Sequence, residues 1–291
     1  MHSVPSPRRL MLSLVCALVI APQAALAQSA DAKRIVAIGG TVTEIIYALG
    51  EGDRIVAVDT TSSYPPEATQ KPNIGYVRQV SAEGVLSQKP DLIVAESGAG
   101  PVDAMNILKA SGLTLISIPS PPDTAAIPDK IRAVGEAIGR KNKAEELALK
   151  VEATLKATAD KTTSTATKKK VLFALSLANG RVMAGGSQSS ADAIIRLAGG
   201  ENAVSTVSGY KPLTDEAIIA AAPDVVLVMS GGATHMTAEQ AFALPALASS
   251  PAAKNKAFVT MDGLYLLGLG PRAADAAAEL HGKLYPEATK P

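Results

Sequence analysis

Short apolar runs bounded by Gly, Pro, Asp or Ser alternate with alanine-rich helical patterns twice along this chain, and the two series flank a long segment without proline. In the first series, Arg34 to Ile38, Ile55 to Val58, Leu92 to Ala95 and Thr114 to Ile118 read as buried strands. Val42 to Leu49, Ser81 to Leu86 and Val102 to Ala110 have helical spacing. The order returns after Lys170, with strands at Val171 to Leu177, Arg181 to Met183, Val225 to Met229 and Ala257 to Thr260. Helices are expected there at Ala191 to Leu197, Thr214 to Ala221, Thr237 to Phe242 and Arg272 to Leu284. Such alternation favours parallel sheets with helices on both faces, so the fold class is α/β with two doubly wound lobes. Between them, Asp129 to about Asp160 is dominated by Ala, Lys, Glu, Leu and Ile. Its helix propensity predicts a single long α-helix, too long for an ordinary crossover, that ties the lobes together with a ligand cleft between them. The expected division is 28–122 for the first lobe, 123–165 for the interlobe helix and linker, and 166–291 for the second lobe.

The two series share blocks in the same order. Glu44 to Leu49 aligns with Asp192 to Leu197, each after a Gly-rich turn, Gly39-Gly40 or Gly185-Gly186. Gly75-Tyr76-Val77-Arg78, followed by a helix start and then Pro90-Asp91 before a strand, is matched by Gly209-Tyr210-Lys211-Pro212, a helix start and Pro223-Asp224. Three blocks in register indicate an internal duplication.

The first 27 residues read as a secretory signal, with a basic start at Arg8 and Arg9, an apolar run from Leu10 to Ile20, and Ala25-Leu26-Ala27 as the cleavage site. The apolar run is well short of the ~20 residues that span a bilayer. Cleavage after Ala27 removes Cys16, the single cysteine, so the mature chain has no disulfide, thiol nucleophile or thiolate metal ligand. It keeps 26 basic and 27 acidic residues, which gives no reason to expect nucleic acid or an anionic membrane surface as partner. A soluble, monomeric protein of the periplasm is expected. Enzyme signatures are absent: there is no Gly-x-Ser-x-Gly elbow, no His-Glu-x-x-His and no phosphate loop.

The segment Ile74-Gly75-Tyr76-Val77-Arg78-Gln79-Val80-Ser81-Ala82-Glu83-Gly84 resembles the haem-binding proteins of bacterial haem uptake systems, within the two-lobed substrate-binding proteins of metal-chelate ABC importers. Gly209-Tyr210-Lys211-Pro212-Leu213, Ala191-Asp192-Ala193 and Leu267-Gly268-Leu269-Gly270-Pro271-Arg272 are similar to the same family. The resemblance implies that haem is the transported ligand, that Tyr76 is its axial iron ligand, and that Arg78 donates a hydrogen bond to the Tyr76 oxygen. An extended loop would place residues 76 and 78 on one side, as that role needs. Phenolate oxygen suits ferric haem, and a neighbouring cation favours the anion. Gly75, Tyr210, Lys211 and Arg272 are further candidate haem contacts, with Tyr210 facing Tyr76 from the second lobe and the two cations near the propionates. Ser62, Ser63 and Tyr64 are candidates for the rim.

A five-coordinate site with Tyr76 alone is the preferred picture. His235, in the loop after Val225 to Met229, stands as the alternative second ligand, whereas His281 reads as a helix-surface residue and Met183 and Met236 as packing residues. Glu83 and Glu216 occupy matching helix starts, one per lobe, where the resemblance implies docking onto a permease dimer at the inner membrane. The competing ligands are a ferric siderophore and a corrinoid.

Overall fold

The structure is a computed structural model and describes residues 32–163, 167–178, 181–231 and 236–286. The secretory segment and His235 lie outside these. The first sheet has strand order β2-β1-β5-β6, all parallel, from β1 (Ile35–Ile38), β2 (Ile55–Val58), β5 (Leu92–Glu96) and β6 (Thr114–Ile118). Its central strands are buried from Ile35 to Ile38 and from Leu92 to Ala95, which is why they read as unbroken apolar runs. Helices α1 (Gly40–Ala48), α2 (Ala82–Ser87) and α3 (Val102–Ala110) connect them. A two-stranded hairpin, β3 (Gly75–Tyr76) with β4 (Gln79–Val80), stands apart from this sheet.

The second sheet runs β10-β8-β7-β11-β12, from β7 (Lys170–Ala178), β8 (Arg181–Gly185), β10 (Tyr210–Pro212), β11 (Val225–Ser230) and β12 (Phe258–Asp262). A short β9 (Glu201–Asn202) pairs with β7. Strands β7, β11 and β12 are parallel, as expected, while β8 and β10 add an antiparallel edge. The helices are α6 (Ser190–Leu197), α7 (Asp215–Ala221), the short α8 (Ala238–Phe242), α9 (Pro245–Ala248) and α10 (Pro251–Lys254), then α11 (Gly263–Leu267) and α12 (Ala273–Leu284). In α12, His281 is not a free surface residue: its Nδ1 lies 3.0 Å from the Ala198 carbonyl and its ring packs against Tyr285. Met236 is buried in the second-lobe core, the packing role expected of it.

The lobes are joined by α5 (Lys141–Thr163), the long helix. The helical run starts earlier than Asp129 and is interrupted: α4 (Ile127–Ala137) ends before Gly139, whose φ of +72° is the left-handed conformation that stops a helix. The chain then reverses, and α4 and α5 pack as an antiparallel pair, with Arg132 reaching Glu145 at 2.7 Å. Beyond α4, α5 continues onto α6 and α12 of the second lobe. Ile45, Ile127, Ile131, Ile194, Ile195, Leu266 and Leu280 belong to one buried cluster, so the largest apolar core crosses from lobe to lobe along these helices.

The turn between α4 and α5 is pinned to the first lobe by Glu51. Its carboxylate accepts from Arg140 Nε at 2.6 Å, Arg54 Nη1 at 3.1 Å and Lys143 Nζ at 3.4 Å. Burial pushes the Glu51 carboxyl up, but the hydrogen bonds from Arg140 and Arg54 outweigh it and hold the group at about 2. A depressed carboxyl contributes stability that is complete above its ordinary value and lost as pH falls through the folded one. Glu51→Gln is therefore expected to cost about 2–3 kcal/mol at pH 7. The deficit relative to wild type should shrink steadily between pH 4.5 and pH 2. Urea unfolding of both proteins at pH 7 and pH 3 checks this; an equal deficit at both would show that Glu51 acts through packing.

Candidate functional site

Tyr76 is positioned by main-chain geometry. Gly75 has φ +103°, and a Cβ there would sit 2.7 Å from the Gln79 carbonyl oxygen, so only glycine closes this hairpin. The Gly75 amide donates to Asn73 Oδ1 at 2.8 Å, and the Gly75 carbonyl accepts from the Thr60 amide at 2.9 Å. On the other side, Val80 N donates to Gly100 O at 2.7 Å and Gly100 N to Val77 O at 2.9 Å. Held on both flanks, the hairpin presents Tyr76 44% exposed.

The local geometry corrects one sequence expectation. Tyr76 pairs with Gln79, and Val77-Arg78 form the two-residue turn between them. Residues 76 and 78 are not two positions of one extended strand, and among the described residues no hydrogen bond joins them. Arg78 is exposed at the hairpin tip, and its charge is felt across the cleft at Tyr210 of the second lobe.

Tyr210 sits on β10 opposite Gly185, with its ring edge-on to Phe173 at a centroid distance of 6.3 Å. Its hydroxyl lies at the start of α6. Burial pushes this phenol up, and the Ala191 amide, the Ser189 hydroxyl and the Arg78 charge partly offset the effect. Lys211, the next residue, is exposed and projects to the opposite face of the strand.

Arg272, just before α12, is not a free cation. Its Nε and Nη2 donate to Glu44 Oε1 and Oε2, both at 2.9 Å, and its guanidinium carbon lies 3.5 Å from the Tyr64 ring centroid. This fork uses two of its five N–H donors. The Tyr265 ring centroid is 5.0 Å from the same carbon. Burial disfavours the Arg272 charge, but the Glu44 hydrogen bonds win and raise its already high value.

Ser63, Tyr64, Asp262, Tyr265 and Arg272 line a cavity of about 210 Å³ with walls from both lobes. Its lining follows the ends of β2 and β12, where ligands of α/β sheets collect. Of the rim candidates, Ser63 and Tyr64 line this cavity. Ser62 does not: it is buried, bonded to Thr43 and Asp59 at 2.8 and 3.0 Å, and serves the loop itself. Asp262 and Tyr265 went unnoticed in the sequence, although their place at the end of a buried strand was a signal. Glu44 carried none, because its partner is 228 residues away.

Glu83 and Glu216 are both exposed at helix starts. Their helices are capped by Ser81, which accepts from the Gly84 amide, and Thr214, which accepts from the Ala217 amide. The Glu216 carboxyl is held below its usual range by its own backbone amide, the Thr214 hydroxyl and the Arg181 charge.

Two α/β lobes, a rigid helical connection and a cleft walled by both define a ligand-binding protein. The periplasmic binding protein family profile matches residues 35–264, and the chain belongs to that family. It is similar to the periplasmic heme-binding protein RhuT from Roseiflexus sp. RS-1, at 37% identity and TM-score 0.83, over 88% of this chain and 99% of that one. The periplasmic heme-binding protein BhuT, in complex with two hemes, gives 36% and 0.81 over 87% and 98%. The uncharacterized ABC transporter substrate-binding lipoprotein YvrC of Bacillus subtilis is 28% identical over 89% of this chain and 82% of its own length. The vitamin B12-binding protein of Vibrio cholerae is 33% identical over 102 residues, 35% of this chain and 37% of its own length. The resemblance to haem-binding proteins of ABC importers is thus upheld, and the family is one of substrate-binding transport proteins.

Proposed function

We propose that this protein captures ferric haem in the periplasm and hands it to an ABC permease. The observation that carries the reading is Tyr76: an exposed phenol on a hairpin built to hold it, with a guanidinium in the adjoining turn. A single protein oxygen suits a metal whose other positions are filled by its own chelate. Among the described residues no group of three or more His, Cys, Asp or Glu is arranged to hold a bare ion. Tyr64 and Tyr265 give the open cavity an aromatic lining, and a macrocyclic ligand extends beyond it, because its volume of about 210 Å³ is smaller than the ~300 Å³ at which ligand pockets begin. The secretory segment, the permease-docking roles of Glu83 and Glu216, and the monomeric state are part of the same proposal.

One observation favours a corrinoid as the second reading. Glu44 already neutralises Arg272, so the floor of the cleft has less positive charge for propionates than the sequence suggests. Parallel titrations with haemin, cyanocobalamin and a ferric siderophore separate these readings. Saturation by haemin with ferric tyrosinate absorption is the expected result; tight binding of cyanocobalamin with no haemin spectrum would transfer the assignment to corrinoids.

A further inference from the structure

We propose that Glu44 is a positioning residue of the cleft, which acts through Arg272 to fix how far the two lobes stand apart. The proposal rests on the reading of this cleft as the ligand site. Glu44 lies on α1 in the first lobe and is 4% exposed. Both groups that grip the Arg272 guanidinium, the Glu44 carboxylate and the Tyr64 ring, come from the first lobe, while Arg272 opens α12 of the second. The same second-lobe turn is held twice more. Thr41 Oγ1 donates to the Gly268 carbonyl at 2.7 Å, and Lys130 Nζ reaches the Gly268 and Leu269 carbonyls at 3.4 and 3.3 Å. Lys130, itself 3% exposed, also pairs with Glu96 at 3.9 Å. The residues from Gly268 to Arg272 are thus stitched to α1 through Thr41 and Glu44 and to α4 through Lys130.

Two physical arguments give this seam a purpose. An ion pair with Glu44 buried and Arg272 partly exposed is weak evidence of a stabilising role by itself. A bidentate guanidinium–carboxylate pair supplies direction instead, because both bonds fail together when either partner rotates. In addition, a cation at a helix start opposes the helix dipole, so Arg272 sits against its local preference and is held there by Glu44. Because Arg272 also lines the cavity, whatever sets its position sets the cavity wall. Lobe separation would have to break the fork, the Tyr64 stack and the Thr41 bond in one movement.

Residues 28–291 contain no cysteine, which makes the test direct. In that mature chain, Lys109→Cys on α3 and Lys254→Cys on α10, both exposed, place one dye on each lobe for single-molecule energy transfer without ligand. The parent protein should give one narrow distribution. Glu44→Gln, which breaks the fork, and Arg272→Lys, whose ammonium cannot form it, should both broaden and shift that distribution, and Glu44→Asp should recover part of the change. Arg272→Lys, which leaves Glu44 in place, carries the test if Glu44→Gln does not fold. Distributions that coincide with the parent in folded Glu44→Gln or Arg272→Lys protein would overturn the proposal. A parent that binds no haemin would refute the haem reading alone, because the distance measurement needs no ligand.

Discussion

Tyr76→Ala is expected to abolish the ferric tyrosinate absorption of the haemin complex and to weaken haemin binding by more than the ~10–100-fold that loss of an outer partner costs. Tyr76→Phe should do the same, because it keeps the ring and removes only the oxygen. The hairpin is held by backbone hydrogen bonds at Thr60 and Gly100 and by the Asn73 side chain, none of which involves the Tyr76 side chain, so both variants should fold as wild type does. Arg78→Ala should fall in the outer-partner range of ~10–100-fold. Visible absorption titrations of the three variants decide the matter. Full retention of the band in Tyr76→Phe would place the iron ligand elsewhere.

The second large effect is expected on delivery and not on capture. Reversing both Glu83 and Glu216 to arginine should abolish permease-dependent uptake while haemin affinity changes by less than a factor of about three, each single reversal giving an intermediate loss. Both carboxylates are exposed, and both helices keep their Ser81 or Thr214 cap, so neither change removes the bond that starts its helix. Glu216 also neutralises part of the positive end of α7, and its reversal should lower stability slightly. Uptake into proteoliposomes that contain the permease, measured beside equilibrium binding, distinguishes the two steps. Uptake at the wild-type rate by the double variant would exclude these residues from docking.

Much of this architecture was legible because its signals are local. Buried parallel strands such as Leu92–Glu96 appear as unbroken apolar runs, and Val102–Ala110 and Thr114–Ile118 fall where periodicity placed them. Local signals also explain the errors. High helix propensity from Asp129 to Asp160 masked the stop at Gly139, because a single left-handed residue weighs little against two dozen good helix formers. The Tyr76 segment was read as extended, but Gly75 allows the chain to double back within four residues. At the site, Tyr76 was singled out by the resemblance of its segment to haem-binding proteins, and Tyr210 by the repeat, both of which are local properties of sequence. The engagement of Arg272 by Glu44 was not, since it is made by two elements at opposite ends of the chain, and no spacing rule links them.

The apolar cluster that runs from Ile45 through Ile131 and Ile194 to Leu280 gives the lobes a common fate. Neither lobe can be cut away without stripping the other's helices of their cover, so the protein should melt in one transition and neither half should persist alone. The same dependence bears on how such carriers diversify. A lobe borrowed from a relative would arrive with the wrong half of a shared interior, unless the α4–α5 pair travelled with it. New ligand preferences are more readily acquired at the cleft-facing loops after β2 and β12, which can change while that interior stays as it is.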